Sequence, residues 1–163
     1  MKKYLILSLL LFVSCGYKPS SHYIKNIFTD KISVEVLVDK AEPENAPFVK
    51  DELNRLVYTR FKSRVVSKRE ASNHISISYS GSTFYPISYK DGYVTRYSAN
   101  INVNFSMITK KGILNKRVST RVESDVQASS LLSASLRNEA IKKGLEKALD
   151  EFLAFVSAKG ALN

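Results

Sequence analysis

The chain has 163 residues, with 25 Lys and Arg against 15 Asp and Glu for a net charge of +10, and 44% of its residues are hydrophobic. That length suits one domain with a single sizeable core. A lone cysteine excludes an internal disulfide, and the positive balance favours anionic partners over acidic-substrate recognition by carboxylates.

Lys2 and Lys3 precede the apolar run Tyr4 to Val13, which gives way to Ser14-Cys15-Gly16. A basic start, a short apolar stretch and a small residue at the cut form an export signal, too short to cross a membrane as a helix. The run L-F-V-S-C-G resembles the lipobox of bacterial lipoproteins, in which the cysteine is lipidated and becomes the first residue. Phe12 departs from the usual Leu; Ser14 and Gly16 fit. The expected division is a signal peptide over 1–14, a tether anchored through Cys15 over 15–31, and one folded domain over 32–163.

Ile32 to Val38 alternates apolar and polar residues and predicts a first strand. Asn45 then suits a helix N-cap, Pro47 a first turn, and Asp51 and Glu52 the positive helix end. Val49, Leu53, Leu56, Val57 and Phe61 place an apolar stripe on that helix. Arg64 to Ser67 predicts a short strand, and His74 to Ser80 a further one with Ile75, Ile77 and Tyr79 inward. Gly81 and Pro86 predict a bulge or bend. Asp91-Gly92 predicts a type I′ hairpin turn.

The returning segment organises the whole chain. From Tyr93 to Met107 the odd positions, ending in Ala99, Ile101, Val103, Phe105 and Met107, are mostly apolar, and the even ones mostly Asn, Ser and Arg. Such alternation predicts one long strand with one buried and one polar face. Lys110-Lys111-Gly112 turns it again, Leu114 to Val122 predicts the last strand, and residues 124–133 read as a serine-rich link. A final helix is predicted near Ser135 to Ala158, burying Ile141, Leu145, Ala148, Leu149, Phe152 and Val156, with Lys159-Gly160 as its stop. The expected fold is α+β: a two-layer sandwich of about four mainly antiparallel strands with both helices packed on one face.

The other sheet face should stay uncovered. Its residues, among them Ser76, Ser78, Ser80, Arg96, Ser98, Asn100, Asn102, Asn104, Ser106, Asn115, Arg117, Ser119 and Arg121, are amides, hydroxyls and arginines. Short uncharged polar groups can lie against another polar wall without stranding buried charge. From Leu53 to Val122 the only acids are Glu70 and Asp91, so nucleic acid, phospholipid or lipopolysaccharide are the anionic partners to weigh, and an exported chain meets envelope lipid. His22 and His74 lack partners at metal-ligand spacing. No serine sits in a nucleophile elbow. The reading is non-enzymatic, with neither cofactor nor metal expected.

Taken together, the lipobox followed by Gly-Tyr, the helix ending L-V-Y-T-R-F, the run I-S-I-S-Y-S-G-S-T-F-Y-P-I-S-Y-K-D-G-Y-V-T-R-Y-S-A-N-I-N-V-N-F-S-M and the basic C-terminal helix resemble the LptE family. The resemblance implies a two-helix, four-stranded sandwich, lipid-anchored on the periplasmic side of the outer membrane. It implies a plug-like partner of the LptD barrel that assists lipopolysaccharide delivery to the cell surface. It also implies lipopolysaccharide binding through basic residues near a hairpin tip. Lys90 in Y-K-D-G-Y matches that loop by position, with Arg96 and Arg137 as neighbours. A pilot or accessory lipoprotein of another envelope or secretion complex is the alternative; it needs the anchor and fold but no basic tip.

Overall fold

The long alternation in the middle of the chain becomes a β-meander, and everything else is arranged on it. The computed structural model describes residues 31–38, 45–61, 64–109, 112–126 and 133–161; the signal segment, Cys15 and the tether lie outside them. Among the described residues the order is β1 (Lys31–Val38), α1 (Ala46–Phe61), β2 (Arg64–Val65), β3 (Asn73–Lys90), β4 (Tyr93–Thr109), β5 (Gly112–Asp125) and α2 (Ala134–Ala161). The sheet order is β2-β1-β3-β4-β5. Strands β3, β4 and β5 pair antiparallel, as two tight hairpins dictate, whereas β1 pairs parallel with both β2 and β3. The sheet is thus mixed: four long strands, three of them the meander, with a two-residue fifth at the edge.

Alternation set the core as expected. Ile75, Ile77 and Tyr79 of β3 and Ile101, Val103, Phe105 and Met107 of β4 are buried beneath Val49 and Leu53 of α1 and Ile141, Leu145, Leu149, Phe152 and Val156 of α2. Both helices therefore cover the same sheet face. Phe105 and Phe152 stack with ring centroids 4.5 Å apart and planes 8° from parallel, tying α2 to the middle of β4. Each such large side chain, fully buried, contributes about 1.5–3 kcal/mol. The apolar layer is completed by a close approach. Gly144 of α2 sits where a Cβ would fall 2.6 Å from Ile101 Cδ1, and Thr120 Oγ1 of β5 donates to the Gly144 carbonyl at 2.9 Å.

The turn chemistry holds. Asp91 and Gly92 both take positive φ, 51° and 81°, as a type I′ turn requires. Gly81, at φ 105°, sits in the register shift between Tyr79 and Ser82, and two more shifts follow Pro86 and Ser88. The expected bend is absorbed within a single 18-residue strand rather than ending one.

Four details differ from the sequence reading. Asp51 and Glu52 fall beyond the first turn of α1, which carries no acid; Glu52 instead pairs with Arg55. Helix α2 begins one residue early, its Ser133 Oγ accepting from the Leu136 amide at 3.3 Å, and continues through Gly160 to Ala161. The last strand runs to Asp125 and takes in Ser124, so the serine-rich link is shorter than expected. Finally, the β3–β4 shifts give β4 an extra residue opposite Ser88, so Thr95 faces Ser88 (Oγ1 to Oγ, 3.1 Å) instead of continuing the inward row.

Candidate functional site

Because the described helices take one face of the sheet, the other is left open. Its central rows are set by register: Ser76↔Ser106↔Asn115, Ser78↔Asn104↔Arg117 and Asn102↔Ser119. These short side chains do not simply point at solvent. Asn104 Nδ2 donates to Ser80 Oγ at 2.8 Å, and Arg117 Nε donates to Asn104 Oδ1 at 2.9 Å, so one amide locks three strands' worth of polar groups into a fixed array. Around them Ser76, Ser78, Asn104, Ser106, Asn115 and Arg117 line a shallow depression of ≈ 360 Å³. No carboxylate lines it. Donors and acceptors both remain available there, which suits a polar, uncharged or anionic counter-surface.

Carboxylates are present at the two ends of this face, a feature the sequence reading missed. Toward the hairpin, Glu123 lies opposite Ser98 and Asp125 opposite Arg96. Arg96 Nε donates to Asp125 Oδ1 at 2.6 Å, with Glu123 3.9 Å from its Nη1; this hydrogen bond to Asp125 is the chief reason the Arg96 pKa is pushed up. Arg121 is 3.6 Å from Glu123 and lies over the Tyr85 ring at 5.8 Å. Ser98, expected on the polar face in water, is fully buried with its Oγ lacking a hydrogen-bond partner. Its register partners are Tyr85 on β3 and Glu123 on β5.

At the other end, beside β1, Ser33 and Glu35 share the face with His74. Ser33 Oγ is 2.8 Å from His74 Nδ1, and Glu35 Oε2 is 3.4 Å from Nε2. Metal-ligand spacing alone gives His74 no partners; the signal for these two is the Ser-x-Glu spacing of β1, which puts both side chains on one side of a strand.

The three basic residues singled out for lipopolysaccharide sit in different settings. Lys90 ends β3 and is exposed, between the exposed Tyr89 and, across the turn, Tyr93. Arg96 is exposed but already paired with acid. Arg137 of α2 is on the helix side of the sheet, its guanidinium 4.8 Å from the Phe84 ring centroid, and Phe84 is paired with the buried Ala99. The hairpin tip thus presents one unpaired lysine flanked by tyrosines, with Arg96 on the open face and Arg137 beneath the other.

The chain is an α+β sandwich with one face sealed by helices and the other a hydrogen-bonded polar array. The chain belongs to the LptE family: the family model described as "LptE: Lipopolysaccharide-assembly" matches residues 33–154. That places it among the lipopolysaccharide-assembly lipoproteins. The fold is similar to that of the rare lipoprotein B from Shewanella oneidensis, with a TM-score of 0.56 and 14% identity over 80% of this chain and 96% of that one. It is similar to a putative lipoprotein from Caulobacter crescentus CB15 (TM-score 0.52, 12% identity, 87% and 95% covered). It also resembles the uncharacterized lipoprotein B from Nitrosomonas europaea (TM-score 0.52, 18% identity, 81% and 84% covered). No curated protein matches it in sequence.

Proposed function

We propose that this protein assists lipopolysaccharide assembly at the outer membrane as the plug-like, non-catalytic partner of an LptD-type β-barrel. It is held on the periplasmic side by acyl chains on Cys15. The observation that carries this reading, beyond family membership, is the open sheet face. Its centre is a pre-ordered array of Asn, Ser and Arg side chains free of carboxylate. The lumen of a large barrel is polar, and a wall of neutral hydrogen-bonding groups can lie against it without burying unpaired charge.

Lipopolysaccharide binding falls to the hairpin tip. Lys90 supplies a free ammonium to a phosphate, Arg96 the guanidinium nitrogens that Asp125 leaves unoccupied, and Arg137 a more distant positive charge. Binding there competes with the cation-bridged packing of lipopolysaccharide molecules and releases them singly. No bond is broken.

Depleting the protein from cells tests the role. Surface lipopolysaccharide should fall and recover when the chain is restored, and mature protein from membranes should carry acyl chains on Cys15 by mass spectrometry. Undiminished surface lipopolysaccharide after depletion contradicts the reading.

A further inference from the structure

Among the described residues, one edge of the sheet is only begun by a neighbouring strand. β2 pairs with β1 only at Lys31↔Arg64 and Ile32↔Val65, after which the chain turns away through residues 66–72 to start β3 on the other side of β1. The Val66 amide donates to the Ile32 carbonyl at 2.9 Å, so Ile32 directs its peptide groups to the β2 side. In a strand that direction repeats every second residue. Val34, Val36 and Val38 therefore aim their N–H and C=O groups at the same side, and among the described residues no strand meets them there.

This edge is a groove and not a flat rim. Val34, Glu35, Val36 and Leu37 of β1 line it together with Lys50 of α1, Lys68 and His74, around a volume of ≈ 500 Å³. Leu37 is 49% exposed, an apolar side chain placed where a further strand would cover it. Lys50 and Lys68 are exposed cations; the one acid in the lining, Glu35, has its Oε2 3.4 Å from His74 Nε2, which leaves the two lysines as the groove's full charges without an acid beside them in that lining. Natural sheets protect such edges with charges, prolines or bulges; from Val34 to Val38 β1 has neither proline nor bulge, and its one charge is Glu35.

We propose that the free edge of β1, from Val34 to Val38, receives an extended acidic segment of a partner protein as an added strand. Backbone hydrogen bonds to Val34, Val36 and Val38 give it affinity, and Lys50 and Lys68 select its charge. A second copy of this chain is disfavoured as occupant, since pairing two edges would set the Lys50 and Lys68 of each against the other in molecules of net charge +10.

The test uses the full-length chain purified in detergent and two capped eight-residue probe peptides, one alternating valine with glutamate, the other valine with lysine. Deuterium uptake is followed over residues 34–38. The free chain should exchange quickly there at every protein concentration. The glutamate peptide should slow exchange at least about tenfold, and the lysine peptide should not. Lys50→Glu/Lys68→Glu should reverse that preference; Val36→Pro, which deletes an edge donor, should abolish the slowing, and the charge-reversal pair decides the matter if the proline variant does not fold. Protection already present in the dilute free chain would mean its own residues occupy the edge. Protection that grows with protein concentration would mean a second copy does. Either result overturns the proposal, as does equal binding of both peptides or of neither.

Discussion

Replacing Gly144 by alanine sets two opposed effects of known size against each other. In an exposed helix the change would stabilise by about 1 kcal/mol, because glycine has the larger backbone entropy to lose. Here the added Cβ would lie 2.6 Å from Ile101 Cδ1, 2.7 Å from Cγ1 and 3.0 Å from Cβ, whereas carbon atoms in contact sit at about 3.5–4.0 Å. Rotating the Ile101 side chain frees Cδ1 but not Cβ, which the backbone of β4 fixes in the core. Helix α2 must lift, stretching the Thr120–Gly144 hydrogen bond and loosening the Phe105–Phe152 stack. Overpacking of this kind costs about 1–3 kcal/mol. Gly144→Ala should therefore destabilise by about 1 kcal/mol net, lowering the melting temperature by about 2–4 °C. Ile101→Val alone should cost about 0.5–1.5 kcal/mol, and less than that in the Gly144→Ala background, where the smaller side chain relieves the clash. Urea unfolding of the chain from residue 16 onward, with unchanged m-values, gives these numbers. If Gly144→Ala stabilised by the full helix-propensity gain, the close seating of α2 on β4 would be refuted.

The two faces of β4 should respond differently to charge: Phe105→Asp should cost several kcal/mol and unfold the domain, whereas Asn102→Asp should melt like the wild type, as thermal unfolding monitored by circular dichroism will show. Glu52 is held below the usual carboxylate range, chiefly by its hydrogen bonds from Arg55. Its contribution to stability is thus complete above the ordinary Glu pKa and is lost as pH falls through the depressed folded value; Glu52→Gln should flatten that acid limb in urea titrations from pH 6 to pH 3. Lys90→Glu/Arg96→Glu should weaken binding to purified lipopolysaccharide at least about tenfold at low salt, with wild-type binding itself falling as salt rises; unchanged affinity at both salt levels removes the tip as the site.

Strict alternation made the meander legible. From Ala99 to Met107 inward residues are apolar and outward ones polar, and a period of two leaves one solution. The Asp-Gly turn and the stripe of α2 were equally readable, since each depends on local chemistry; of the α1 stripe, Val49 and Leu53 are buried, and the side chains of Leu56, Val57 and Phe61 lie outside those described. The parallel pairing of β1 was not, because register between strands separated by a helix is a tertiary choice with no local signature. The same holds for the site. The amide-and-hydroxyl row of the open face could be read directly, but its bonding could not. Arg96 looked free in the sequence because Asp125 and Glu123 lie 29 and 27 residues away and meet it only through the β4–β5 register. Thr95 broke the pattern where the register shifts intervene, and Ser33 met His74 only through the parallel pairing.

The measurement that bears most directly on the central claim is affinity purification of the tagged protein from envelope membranes, alongside an Asn100→Glu/Asn102→Glu variant that charges the open face without disturbing Asn104. The wild type should bring down an LptD-type barrel, and the variant, melting at the same temperature, should lose most of it. A wild-type preparation without the barrel, or a variant that retains it in full, would contradict the account.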